Sequence, residues 1–170
     1  LLFGPDEVRQ VLDALSMGAR HSLVSLDFTY PALHKYLLLS AYALYFMCGS
    51  LVRFFSGVED FVFKFLVDPG KILLLGRLLS AAMGMLILIP AYRLGKLLHS
   101  RTVGVISCVF VAFSFQLIAH SQWAIADTML AFCSIWSMYY ILQCAQAPNR
   151  RDLVLSAFWI GCAAATKYQG

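Results

Sequence analysis

Runs of apolar residues long enough to cross a bilayer constrain this chain before anything else. A spanning helix needs about 20 mostly apolar residues. Residues 72–92 carry one charge, Arg77; residues 102–126 carry none apart from His120 if it is protonated; residues 128–147 carry none. Residues 153–166 form a shorter run that Lys167 and Tyr168 extend to about 168 by snorkelling. The composition agrees: 61% of the 170 residues are hydrophobic and 13% charged, against about 45–50% and about 25% in a typical soluble domain. A small domain cannot hide that surplus in one core, so lipid is its natural solvent. The expected fold is an all-α, polytopic transmembrane bundle.

Charge orients it. The stretch after 72–92 holds Arg93, Lys96, His99 and Arg101, and the stretch after 128–147 holds Arg150 and Arg151 beside Asp152. Basic loops face the cytoplasm, and two spans separate these two, so they share a side. Asp127 and the residues just before Lys71 then face the other side. A further apolar stretch, 31–55, is ambiguous. If it spans, Asp6 and Glu7 lie opposite Asp127; if it lies in the outer interface, residues 1–71 form one long outer loop and the three acids share a face. Tyr30, Tyr36, Tyr42 and Tyr45 suit an interface, but the charge rule alone leaves both arrangements open. The net charge of +4 is explained by this orientation and calls for no nucleic-acid partner. The five cysteines, Cys48, Cys108, Cys133, Cys144 and Cys162, form no CxxC pair and lie in apolar stretches, which reads as packing. The chain opens at Leu1 inside an apolar run and is read as part of a longer protein.

Several residues have the chemistry of a site, each with a structural alternative. Asp6 and Glu7, with Arg9 two residues on, could supply a general base and ligands for a hard divalent ion such as Mg²⁺ or Mn²⁺; acids behind Pro5 equally suit a helix start. Asp127, after His120, is an ionisable group between two apolar runs, which marks either a site or an N-cap. Pro31 opens a helix whose first turn holds His34 and Lys35, where a phosphate could meet a cation and free N–H groups; interfacial anchoring explains them as well. Arg77, inside an apolar helix, must face protein, water or a phosphate, or snorkel. Lys167 has the same two readings. No phosphate-binding Gly-rich loop, Ser-His-Asp order or Cys/His metal cluster is present in the sequence.

The order of these signals resembles a known arrangement. Pro-Asp-Glu at 5–7, Tyr-Pro-x-Leu at 30–33, Gly-Arg-Leu-Leu-Ser at 76–80, Asp127 at an outer turn and Thr-Lys-Tyr at 166–168 together resemble the N-terminal part of the membrane module in GT-C glycosyltransferases. The similar group is that of the dolichyl- or polyprenyl-phosphate-mannose mannosyltransferases, which includes the lipid A aminoarabinose transferase. The resemblance runs over 1–170, and it implies interfacial helices in the first outer loop, hence an outer loop of about 1–71. It implies transfer of a sugar, with inversion, from a polyprenyl-phosphate donor to a hydroxyl of a protein, lipid or glycan on the extracytoplasmic face. The setting is a bacterial or archaeal cytoplasmic membrane, or the endoplasmic reticulum with a lumenal site. By this resemblance Asp6 and Glu7 are catalytic, Asp127 is the second acidic motif or a metal ligand, and Arg9, Lys35, Arg77 and Lys167 are candidates for the donor phosphate. In the aminoarabinose transferase a Lys precedes the Pro of the interfacial helix; here that position is Tyr30, so Lys35 or His34 would have to substitute. The competing readings from composition are a transporter and a non-catalytic membrane subunit.

Overall fold

In the computed structural model, residues 4–167 are described. They are all-helical: 77% helix, without strands among the described residues. The order is α1 (Pro5–Ala19), α2 (Leu33–Leu51), α3 (Val58–Val67), α4 (Gly70–Leu86), α5 (Leu88–Leu98), α6 (Arg101–Ala112), α7 (Phe115–Ser121), α8 (Ala126–Gln146) and α9 (Arg150–Ala164).

Among the described residues two helices are long and apolar enough to cross a membrane: α4 and α5 running together as Gly70–Leu98, and α8. The pair α6 and α7 qualifies as a third only if taken as one span bent by 57°. The sequence suggests that 72–92 is a span followed by a basic loop. Instead the helix runs on to Leu98, so Arg93 and Lys96 are helical residues. The sequence also suggests one span over 102–126. The chain breaks there at Ser114, whose ψ of 113° leaves the helical region; serine tolerates such a backbone because it is a natural cap. Helix α9 is 15 residues long, and α2, at 19 residues, is not apolar enough to count among the candidate spans.

The outward faces are apolar. Leu78, Met85, Val105, Phe110, Phe113, Phe158 and Ile160 are each at least half exposed. Such a surface is a liability in water and ordinary in lipid. With lipid as solvent, burial of apolar area does not by itself draw helices together, and close packing of small residues takes over. Helix α4 shows the consequence. Gly76, Ser80 and Gly84, spaced by four, form a buried stripe. A Cβ on Gly76 would stand 2.7 Å from the Ala124 Cβ, so only glycine lets the turn before α8 lie against α4.

Inside, Val11, Ala14, Leu38, Tyr42, Ile72, Leu73 and Ala124 make one core where α1, α2 and α4 meet. Met83, Met129 and Cys133 make a second between α4 and α8. The N–H of Leu33 donates to the carbonyl of Ala165 (3.2 Å), which ties the start of α2 to the end of α9. Thus α1, the start of α2, the turn before α8 and the end of α9 converge at one end of the bundle.

Candidate active site

The first acidic pair sits in the first turn of α1, behind Pro5 at its start. The helix-start reading of this motif is therefore realised. Asp6 is exposed. Glu7, one residue on and about 100° round the helix, is fully buried. Its two oxygens accept from Arg77 in a bidentate fork, Nε to Oε1 and Nη2 to Oε2, both at 2.7 Å. Oε1 also accepts the backbone N–H of Ala124 at 3.0 Å. The Arg77 guanidinium lies over the Trp123 ring, 4.9 Å from its centroid. One carboxylate thus joins α1, α4 and the turn before α8. Charge-assisted bidentate bonds of this type are the strong ones, and they answer why Arg77 can lie inside an apolar helix.

The second acid follows the same logic. Asp127 is not an N-cap: that position is Ile125, and Asp127 stands in the first turn of α8. Its Oδ1 accepts from Lys167 Nζ at 2.5 Å. Its Oδ2 stands 3.3 Å from His120 Nδ1, at the distance but not the angle of a hydrogen bond. The Lys167 ammonium lies 5.8 Å from the Tyr30 ring centroid, and Asp6 is within its electrostatic reach. Between the two pairs is a cavity of about 260 Å³ lined by Gly4, Asp6, Glu7, Ala119, His120, Trp123 and Ile125. Residues more than 100 positions apart in the chain meet there.

Lys35 goes elsewhere. It is completely buried and bonded to Asp13 Oδ2 at 2.9 Å, to Ser25 Oγ at 2.8 Å and to the Asp27 carbonyl. An ammonium so enclosed and neutralised cannot meet a phosphate from the cavity, which corrects the expectation drawn for it. Burial alone would raise the Asp13 carboxyl, but hydrogen bonds from Ser25 and Lys35 hold it below the usual carboxylate range. Beside it, His34 Nδ1 is 2.6 Å from Gln10 Oε1, and its Nε2 has no partner. Burial pushes His34 down to about 4, so the ring is neutral at pH 7. Arg9 is half-exposed, with loose contacts to Thr29 (3.5 Å) and Asp27 (4.0 Å). It stands three residues beyond Asp6 on α1, which puts both on one face.

Two of the three acids offered for a divalent ion already have partners. Glu7 is taken by Arg77 and a backbone N–H, and Asp127 by Lys167. Among the described residues no group of three or more His, Cys, Asp or Glu side chains could hold a metal. Sequence reasoning missed the Glu7–Ala124 bond, Trp123 under Arg77 and the Asp13–Ser25–Lys35 network. Of these, only Trp123 had a sequence signal, being an aromatic residue in the polar stretch before Asp127. Tyr168, the last residue of the Thr-Lys-Tyr motif, lies outside the described residues.

Residues 70–170 match the sequence model of a family described as dolichyl-phosphate-mannose-protein mannosyltransferase. The chain belongs to this family. It is accordingly part of an integral membrane, mannosyltransferase-type glycosyltransferase of the group that uses polyprenyl-phosphate sugar donors. The family match begins at α4, so α1, which carries Asp6, lies before it. No curated protein and no solved structure matches the chain.

Proposed function

We propose that the chain carries the catalytic end of a transferase that moves a sugar from a polyprenyl (dolichyl-type) phosphate to an acceptor hydroxyl, with inversion, on the extracytoplasmic face. Asp6 is the general base. The observation that carries the reading is the contrast among the acids lining or bordering the cavity: Glu7 and Asp127 are each bound to a cation, whereas Asp6 has no hydrogen bond or ion pair among the described residues. A carboxylate that is exposed and unpaired among the described residues is the one free to accept a proton.

The acceptor oxygen attacks the anomeric carbon from the face opposite the phosphate. Its proton passes to Asp6 as the new C–O bond forms. The bond from the anomeric carbon to the phosphate oxygen breaks, and that oxygen leaves with the electron pair on the lipid phosphate. Lys167, held by Asp127, and Arg9, on the Asp6 face of α1, neutralise the charge that develops there. Glu7 and Arg77 set the distance between α1 and the turn before α8 and do not touch the reacting atoms. Helices α2 and α3 lie in the outer interface within a loop of about 1–71, which keeps Asp6 and Asp127 on one side.

The test uses the full-length protein in detergent with a labelled lipid-linked sugar. Asp6→Asn keeps the shape and removes the basicity, and turnover should fall about 10²–10⁴-fold, the usual share of general acid–base catalysis, while expression and thermal stability stay near the parent's. Near-parental turnover would remove Asp6 from its role.

A further inference from the structure

The end of the bundle away from Asp6 carries a second cavity that the transfer reaction does not use. It has a volume of about 710 Å³ and is lined by Leu88, Ile89, Tyr92, Arg93, Lys96, Leu97 and Tyr139. Arg93 lies 16 residues beyond Arg77 on the continuous helix Gly70–Leu98, about 24 Å along its axis at 1.5 Å per residue. The cavity is therefore near the opposite surface of a hydrocarbon layer about 30 Å thick. The side chain of Gln146 donates to the Leu97 carbonyl at 3.3 Å, which brings the end of α8 to the end of α5. The two basic stretches, Arg93 to Arg101 and Arg150 to Arg151, consequently meet at this end, the one the charge rule assigns to the cytoplasm.

We infer that this cavity between α5 and α8 binds an anionic phospholipid of the cytoplasmic leaflet. Charge complementarity decides the occupant. Arg93 and Lys96 are both exposed, and among the described residues neither has an acidic partner. Arg93 is not adrift: its guanidinium is held 5.4 Å from the Trp136 ring and 5.9 Å from the Tyr139 ring, on α8. That stacking fixes the planar fork, which matches phosphate oxygens. Lys96, one turn further along α5, adds a second positive charge within reach of the same headgroup. Toward the membrane centre the lining turns apolar through Leu88 and Ile89, the latter 44% exposed, a surface for acyl chains. A basic rim over an apolar wall at the depth of the headgroups is what an anionic lipid requires. A soluble anion would leave the apolar wall uncovered, and a zwitterionic lipid would set its own ammonium against the two cations.

The experiment is native mass spectrometry of the full-length protein released from micelles doped with phosphatidylglycerol or with phosphatidylcholine. Phosphatidylglycerol should be retained in preference. Arg93→Gln with Lys96→Gln should weaken that retention on the order of thirty-fold, about five-fold per charge removed. Arg150→Gln with Arg151→Gln, which removes two charges from the same end outside the cavity, should leave it largely intact. Equal retention of the two lipids would overturn the inference, as would equal effects of the two double variants; a segment of the full chain filling the cavity would give the first of these results. Should the Arg93 variant not be recovered, Lys96→Gln alone carries the test, since the exposed Lys96 makes no bond within the described residues and its loss should cost about five-fold.

Discussion

Replacing Glu7 by glutamine changes one atom of the side chain and tests whether this acid is a strut or a reagent. The new amide can still accept the Ala124 N–H through its carbonyl oxygen, but Arg77 loses its counter-charge and one arm of the fork. Glu7 is fully buried, and the Arg77 side chain is 22% exposed. Removing one partner of a buried pair costs about 3–5 kcal/mol, and the partial exposure of Arg77 puts Glu7→Gln at the lower end, about 3 kcal/mol. Arg77→Gln is the worse change, because it strands a carboxylate with no access to water, and about 4–5 kcal/mol is expected. The double variant Glu7→Gln, Arg77→Gln leaves two neutral amides able to bond to each other and should recover a good part of both losses. The assay is thermal unfolding of the full-length protein in one detergent for parent, both single variants and the double variant. A coupling of about 2 kcal/mol or more is expected for residues in direct contact. Additive losses, or a Glu7→Gln variant as stable as the parent, would refute the argument. Turnover supplies the contrast with Asp6: Glu7→Gln should lose activity in step with folded protein, and Asp6→Asn without losing folded protein.

Other outcomes follow from the same geometry. Lys167→Gln releases Asp127 and removes the charge offered to the leaving phosphate, so the specificity constant for the lipid-linked donor should drop about tenfold or more, with the acceptor KM little changed; an unchanged donor term would exclude the role. The His34 ring, which ordinarily titrates near 6.5 and in the fold near 4, contributes stability that is complete above about 6.5, is lost as pH falls, and levels off below about 4. The full difference is roughly 3 kcal/mol, and His34→Gln should flatten that part of the stability–pH curve. Asp13, held below its ordinary 3.8, adds a separate loss only at more acid pH. Gly104→Ala would bring a Cβ to 2.8 Å from the Tyr92 carbonyl oxygen in the tight α5–α6 pairing; overpacking against immovable backbone should outweigh the helix-propensity gain by about 1–2 kcal/mol, read as earlier thermal unfolding. In a cysteine-free background, cysteines at Arg9 and Gln122 should react with an impermeant thiol reagent from outside, while one at Asn149 reacts only after the membrane is opened; opposite labelling of the first two would mean that α2 spans.

By itself the sequence determined the membrane setting and the helical class. These depend on run length and on charge counts, which are additive properties of the chain and survive without knowledge of any contact. It also singled out Asp6, Glu7, Asp127, Arg77 and Lys167, because ionisable groups are rare enough in such a chain to stand out. Which of them are paired was decided only by the tertiary structure. Asp6 and Glu7 are neighbours in sequence and both border the cavity, yet successive residues on a helix point about 100° apart, so one is exposed while the other is buried against Arg77, 70 residues away. Lys35 illustrates the same limit from the other side: nothing in its own helix reveals that Asp13 and Ser25 close over it, since both come from the chain before α2. The break at Ser114 and the helical placement of Arg93 and Lys96 were also beyond hydropathy, because an average over a window does not register a single backbone turn. Pairing, burial and orientation depend on which segments lie side by side, and that is a property of the packed bundle.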